Sequence, residues 1–395
     1  MKNILAKNFI KSFICLWTSL LFLNCSAQTK SHLDQSSIID TTEFVSSAHH
    51  WYDIKDKDKI IEPLKDQKQY LASEFEKIAD NILLYQKSNG GWPKNYDMQA
   101  ILTDEQKIAV AKSKSILNTC FDNGATYSHL KYLASVFALT KNDKYKIAFN
   151  SGIKFILSAQ YDNGGWPQFY PDVSGYRKYI TYNDGAMIGV MKLIQRIVNK
   201  ESDYNCIDST MYNKVIVSFK RGIECILNTQ IIEADTLLVW CQQHNNITLK
   251  PEDARAFEPA SICNGESVGI VELLMSLNNP DERVIKSIKS AVKWFEDSKI
   301  YGIRVQTITA PHTEYTYRNS DEDRIIIKDP EAKPIWARYY ELESHKPIFC
   351  NRDGKIVYSL DEVERERRIG YAWYVYDPQK VLDKYPAWLE KQNVH

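Results

Sequence analysis

The sequence predicts an all-α-dominated protein: three helical hairpins stacked about a common axis as an α/α toroid, with short β-strands and long loops in the C-terminal third. Three observations point there. A loop is written twice, NGGWPKNYD at 89–97 and NGGWPQFYP at 163–171, each time after an aliphatic stretch ending in a glutamine, Gln86 or Gln160. Three times, at Gly124, Gly185 and Gly265, an Asn or Asp followed by glycine leads into a run of small and apolar residues. Between these landmarks the apolar residues fall at helical spacing. Neither kind of helix is apolar enough to stand alone, so stacking the repeats is what buries a continuous face.

Taken in order, the chain opens with Lys2, Lys7 and Lys11 ahead of an apolar run from Phe13 to Leu23 and a small-residue site. That is the pattern of a secretory signal and is too short for a membrane span. Residues 1–27 are read as a signal peptide cleaved after Ala27, so the mature chain is expected in the periplasm or outside the cell. Lipid attachment at Cys25 is the rival, weakened by Asn24 before the cysteine. Residues 28–63, with the charge run DIKDKDK, read as a flexible N-terminal segment, and 64–395 as one domain.

LASEFEKIADNILLYQ spaces Leu71, Phe75, Ile78, Ala79, Ile82 and Leu83 on one helix face. IAFNSGIKFILSAQ and VIVSFKRGIECILNTQ repeat the device before Gln160 and Gln230. The third copy lacks the paired glycines, yet WCQQ at 240–243 stands where the others have GGWPK and GGWPQ. The motifs CFDNGATYSHLKYLA, TYNDGAMIGVMKLI and SICNGESVGIVELLM then mark three helix starts, since Asp and Asn cap well and glycine tolerates the entry geometry. The toroid gathers these starts at one end. Helix N-termini favour anions, so that end suits a polyanion with a bridging cation. The repeated Trp is read as a packed corner in preference to a sugar platform.

Composition narrows the function. At 44% hydrophobic and 25% charged, the chain can fill an ordinary core. A formal net charge of zero gives no overall field to attract nucleic acid or anionic membranes, so an acidic ligand must be held by local arginines. The cysteines beyond Cys25 form no CxxC pair, which argues against structural zinc; export permits disulfides without requiring them. Cys241 and His244 in WCQQH are either half a metal site or a loop cysteine and a polar cleft residue. His244 and Lys250 are candidates to line the cleft, Glu258 and Glu266 to orient Arg255 or cap a helix, and His129 reads as structural.

In the last third, arginines stand among aromatics and prolines: Arg255 in KPEDARAFEPAS, Arg324 in SDEDRIIIKD and Arg338 in PIWARYYELE. Guanidinium groups bind carboxylates in bidentate fashion and stay charged. With Asp122 and Asp184 available to a hard cation, they suggest a polycarboxylate site; ordinary salt bridges are the alternative.

DNGAT, NGGWPQFYP, YITYNDGAM, DARAFEPASICNGESVGIVELLM, DPEAKPIWARYYEL and ERRIGYAWY run in order from about residue 65 to 390. Together they resemble the polysaccharide lyase family 10 pectate lyases. The resemblance implies an (α/α)₃ toroid that cleaves polygalacturonate, the pectin backbone, by calcium-assisted β-elimination. It casts Arg255 as the catalytic base, Asp122 and Asp184 as Ca²⁺ ligands, and Asn123, Arg324 and Arg338 as substrate-binding residues. Phe257, where a tyrosine is common, and Cys120 and Phe121 before the DN pair depart from the pattern. An alkaline optimum and a monomer are expected, with no nucleic-acid partner. A glycoside hydrolase using Asp122 and Asp184, or a non-catalytic glycan-binding protein, are the alternatives.

Overall fold

The computed structural model describes residues 38–54 and 59–392; the proposed signal peptide lies outside the described residues. Its helices are, in order, α1 (Val45–Asp53), α2 (Phe75–Tyr85), α3 (Asp104–Lys112), α4 (Tyr127–Thr140), α5 (Asp143–Ala159) and α6 (Ala186–Val198). They continue as α7 (Ser209–Thr229), α8 (Asn264–Met275), α9 (Glu282–Asp297), α10 (Arg365–Gly370) and α11 (Pro378–Gln392). The hairpins are α4 with α5, α6 with α7, and α8 with α9. Helices α4, α6 and α8 pack side by side as the inner set, while α2 lies on α4 and α11 on α8 and α9. The α/α toroid is thus the observed fold.

The repeated loop is a repeated corner. Gln86 Nε2 donates to the carbonyl of Gly90 in its own loop (3.0 Å) and to that of Ala148 on α5 (2.9 Å). Gln160 does the same to Gly164 and to Ser218 on α7, both at 2.9 Å. Gln230 repeats it to Leu238 (2.7 Å) and to Ser287 on α9 (3.2 Å). Each outer helix is therefore stapled at its C-terminus to the next one. Trp92, Trp166 and Trp240 are fully buried, and each indole N–H reaches a carbonyl near the end of the preceding helix: Ile82, Ile156 and Ile226. A wholly buried indole with its donor satisfied is a core wedge. The corner needs glycine because a Cβ on Gly164 (φ +92) would lie 2.0 Å from the carbonyl oxygen of Arg221, and one on Gly90 (φ +93) 2.4 Å from that of Ser151.

The helix starts fall where the motifs place them, but the capping expectation is corrected. The residue capping α4 is Thr126, whose backbone N–H donates to His129 Nδ1 (3.0 Å). Gly185 caps α6, and Cys263 precedes α8. The motif Asn and Asp side chains are turned to other partners, because Asn123 (φ 49) and Asp184 (φ 51) sit in the left-handed region within a short 3-10 turn. Polar residues of this kind tolerate that conformation better than bulkier ones.

The stretch expected to be a flexible lead-in carries α1 between residues 45 and 53, with Phe44 and Trp51 in the main core. Two aromatic anchors in a polar stretch leave no periodicity to read. In α2, the helix begins at Phe75, and Leu71 of the expected face is exposed. The last third holds one long antiparallel hairpin, Ile303–Glu314 with Asn319–Lys328, besides strands of two to four residues. A four-stranded antiparallel sheet joins Ile356–Val357, Pro347–Cys350, Tyr339–Tyr340 and Ile262–Cys263 in that order. Its register pairs Cys263 with Tyr339, which sets Arg338 over the start of α8, where the Asn264 N–H donates to the Arg338 carbonyl (2.9 Å). A second core of Phe257, Cys263, Tyr339, Phe349 and Trp373 lies behind this sheet.

Candidate active site

The three helix starts converge. Asp122, buried at the first, accepts a hydrogen bond from Lys94 of the first corner loop, a contact made by Oδ2. Its Oδ1 is buried without a partner among the described residues. Burial alone would raise this carboxyl, but Lys94 outweighs it, with help from Arg255 and Gln168, and holds it below the usual range. Asn123 donates from Nδ2 to Asn95 Oδ1 (3.0 Å). At the second start, Asp184 accepts from Asn183 Nδ2 (2.7 Å) and opens onto a cavity of about 490 Å³ that Asn123 and Glu266 also line. Confinement by the surrounding protein, then the charge of Asp122, raises the Asp184 carboxyl; Arg338 and Arg255 act the other way.

Arginines face these carboxylates. Arg338, buried, donates from Nη2 to Glu266 Oε1 (2.5 Å) and to Asn183 Oδ1 (3.1 Å). Its guanidinium stands 4.5 Å from the centre of the Tyr371 ring, and its Nε is buried with no partner among the described residues. Arg255 lies in an exposed turn and engages the buried Glu258 through Nε (2.8 Å) and Nη2, leaving Nη1 without a hydrogen bond among the described residues. Desolvation would lower the Arg255 pKa, but the Glu258 carboxylate overrides it and raises it above the ordinary arginine value. Glu258 also accepts from the Tyr371 hydroxyl (3.1 Å), and that hydroxyl shares a hydrogen bond with Tyr339 (2.5 Å).

The structure thus brings Asp122, Asn123, Asp184, Arg255 and Arg338 to one end of the inner helices. Arg324 stands behind them: on the long hairpin, it donates from Nη1 to the carbonyl of Tyr371 (3.0 Å). Several participants carry little signal in sequence. Lys94 and Gln168 occupy the position after Trp-Pro in successive corners, a correspondence visible only once the corners are known to point inward. Arg367 is buried behind Phe257, whose ring lies 4.2 Å from its guanidinium and 4.8 Å from that of Arg255. Burial, with Arg352 and Arg255 near, lowers Arg367 to about 10 against the pull of Glu366.

His244 and His129 resolve as structural. The Cys241 N–H donates to His244 Nε2 (3.1 Å), and His244 Nδ1 meets the Leu249 carbonyl (2.9 Å) in a fully buried site. Burial takes its pKa down to about 4, so the ring is a neutral brace for the third corner. His129 stacks on Trp92 at 5.4 Å. Cys120, Cys206, Cys225, Cys241, Cys263 and Cys350 are free and buried.

The residues fit a hard cation on two counts. Asp122 offers an orphaned buried oxygen, and Asp184 is a carboxylate whose charge its neighbour opposes, a strain that a cation relieves. Among the described residues no group of three or more His, Cys, Asp or Glu is placed to hold a metal. Hard cations take further oxygens from ligand and water.

The family described as pectic acid lyase matches residues 86–382. Among solved structures, a family 10 polysaccharide lyase from Cellvibrio cellulosa shares 27% identity at a TM-score of 0.65, covering 79% of this chain and 94% of that one. An aspartate-to-alanine mutant of the family 10 lyase from the same organism, in complex with trigalacturonic acid, shares 26% identity at a TM-score of 0.65, covering 79% of this chain and 95% of that one. No curated protein matches the sequence. The family match spans most of the chain and takes in all three inner helices and every arginine and aspartate of the site, so the chain belongs to the pectic acid lyase family and is a polysaccharide lyase.

Proposed function

We propose that this lyase is an exported enzyme that cleaves polygalacturonate by calcium-assisted β-elimination, giving oligogalacturonides with a C4–C5 unsaturated non-reducing end. The observation that carries the reading is the meeting of Arg255 and Arg338 with the paired carboxylates Asp122 and Asp184, supported by the trigalacturonic acid complex of the neighbour. The proton on C5 of a galacturonate lies alpha to a carboxylate and leaves only when the charge that builds there is stabilised. Fixed cations aimed at that charge are the largest lever available. Calcium, held by Asp122 and Asp184, supplies when bound the neutralisation of the substrate carboxylate. Arg338, locked by Glu266 and Asn183, and Asn123 orient the sugar acids, while Arg324, bonded to the Tyr371 carbonyl, supports the Tyr371 side of the site. Arg255 is assigned the C5 proton, with Nη1 the nitrogen not engaged by Glu258. Because Glu258 favours the protonated guanidinium, proton uptake by Arg255 requires alkaline pH. Export rests on the basic and apolar pattern of residues 1–27, and release to the periplasm or beyond is the expected destination.

The test is ultraviolet absorbance of the mature protein with polygalacturonate, with and without chelator, beside Arg255→Ala. The expected outcome is a rising absorbance that chelation abolishes and that falls by about 100-fold or more in the variant. Reducing sugar released without the absorbance would replace elimination with hydrolysis.

A further inference from the structure

Beside the site, on the far side of Lys94, lies a second cavity of about 570 Å³ whose composition suits a sugar acid. Lys94 lines it while its ammonium holds Asp122, so the cavity abuts the reacting centre. Three further groups matter. Arg177 uses Nη1 for Asp172, and its Nε and Nη2 make no hydrogen bond among the described residues. That Nε–Nη2 edge is the one on Arg255 that grips the Glu258 carboxylate, the fork geometry by which guanidinium binds carboxylate. Asn118 Oδ1 is buried with no partner among the described residues, an acceptor suited to a hydroxyl. The Phe169 ring lies 4.6 Å from the Arg177 guanidinium and 5.3 Å from the Lys94 ammonium, and with Tyr176 it provides an aromatic wall.

Lys59 also lines the cavity, but its ammonium is committed to the carbonyls of Trp51 (2.7 Å) and Ile54 (2.8 Å). It therefore belongs to the wall. That wall is built by residues 59 and 60, which precede the family-matched region, so part of the cavity is supplied by this chain's N-terminal segment.

We propose that this cavity is a distal uronate subsite: a galacturonate unit of the polymer away from the scissile bond binds there, its carboxylate on the Nε–Nη2 edge of Arg177 and a hydroxyl on Asn118 Oδ1. The proposal rests on the polygalacturonate reading above. Such a subsite lets binding energy from remote units help hold the reacting unit in place, so long chains react faster than short ones.

The experiment compares kcat/KM for hexagalacturonate and trigalacturonate, read by ultraviolet absorbance, in the wild type, Arg177→Ala and Asn118→Leu, which is similar in size but lacks the acceptor oxygen. The expected result is that the hexamer-to-trimer ratio falls about tenfold or more in Arg177→Ala, the loss of a charge-assisted contact, and about threefold in Asn118→Leu, the loss of a neutral one. An unchanged ratio in folded Asn118→Leu overturns the subsite even if Arg177→Ala fails to fold. Calorimetric titration of hexagalacturonate separates the two readings. If the wild type yields no unsaturated product yet Arg177→Ala weakens hexamer binding, the subsite stands and the elimination reading fails. If product forms and neither variant weakens binding, the subsite alone is wrong.

Discussion

Arg255 and Glu258 form the contact on which the proposed chemistry turns. A bidentate carboxylate stabilises the charged guanidinium, so the same pair that fixes Arg255 in place opposes its use as a base. The sign of the effect makes a test. Glu258→Gln keeps the shape and hydrogen-bond acceptor but removes the charge, so the Arg255 pKa falls. If Arg255 accepts the proton, the rising limb of the pH–rate profile moves to lower pH in Glu258→Gln. A profile that only drops in height, with its limb unmoved, assigns Arg255 to charge stabilisation and the proton to another group. Asp122 and Asp184 show the same logic in reverse: Lys94 keeps one ionised, and burial, then the charge of the first, raises the other. The residues of this site are therefore coupled, and single substitutions will not add.

Among the elements, the corner is the repeating unit of stability. A glutamine staple, a buried indole and a glycine pressed against the next outer helix recur at Gln86, Trp92 and Gly90, and at Gln160, Trp166 and Gly164. The third corner keeps the staple and the indole without the glycine pair. Gly164→Ala is expected to destabilise the fold by at least about 2 kcal/mol, combining positive-φ strain with overpacking against the Arg221 carbonyl. Gly90→Ala should act alike for the same reason. Denaturant unfolding reads both, and a variant as stable as the wild type would show that the corner yields where the contacts say it is locked. The short 3-10 turns that follow the corners do the opposite work. Their left-handed Asn123 and Asp184 leave the caps to other residues, and their side chains meet Asn95 and Asn183 instead.

At the scale of the whole molecule, site and stability are linked through charge. Asp184, with its pKa raised in the folded chain, binds its proton more tightly there than in the unfolded chain. Its contribution to stability is thus present below the unfolded aspartate pKa and is lost as pH rises through the raised folded value. A cation bound to the ionised pair restores that loss, since anything that binds only the folded chain stabilises it. Calcium is therefore expected to raise Tm at about pH 8 and much less at about pH 4, where protons compete for the carboxylates. Melting in calcium and in chelator at both pH values checks this. An equal shift at the two, or none, removes Asp184 from the cation site.

The sequence by itself determined the toroid, because a three-fold repeat of helix, glutamine, tryptophan and Asn/Asp-Gly is local chemistry, legible wherever periodicity survives. It also marked Asp122, Asn123, Asp184, Arg255 and Arg338, which the structure gathers at one end. The tertiary structure alone decided what those residues face. The caps passed to Thr126 and Gly185 because backbone sign, set by packing between neighbouring turns, is not written in residue type. Glu258 became the partner of Arg255, Lys94 reached Asp122 across the corner, and Trp51 of a polar lead-in entered the core. These contacts join segments that have no shared period, and only the folded chain brings such segments within hydrogen-bonding distance.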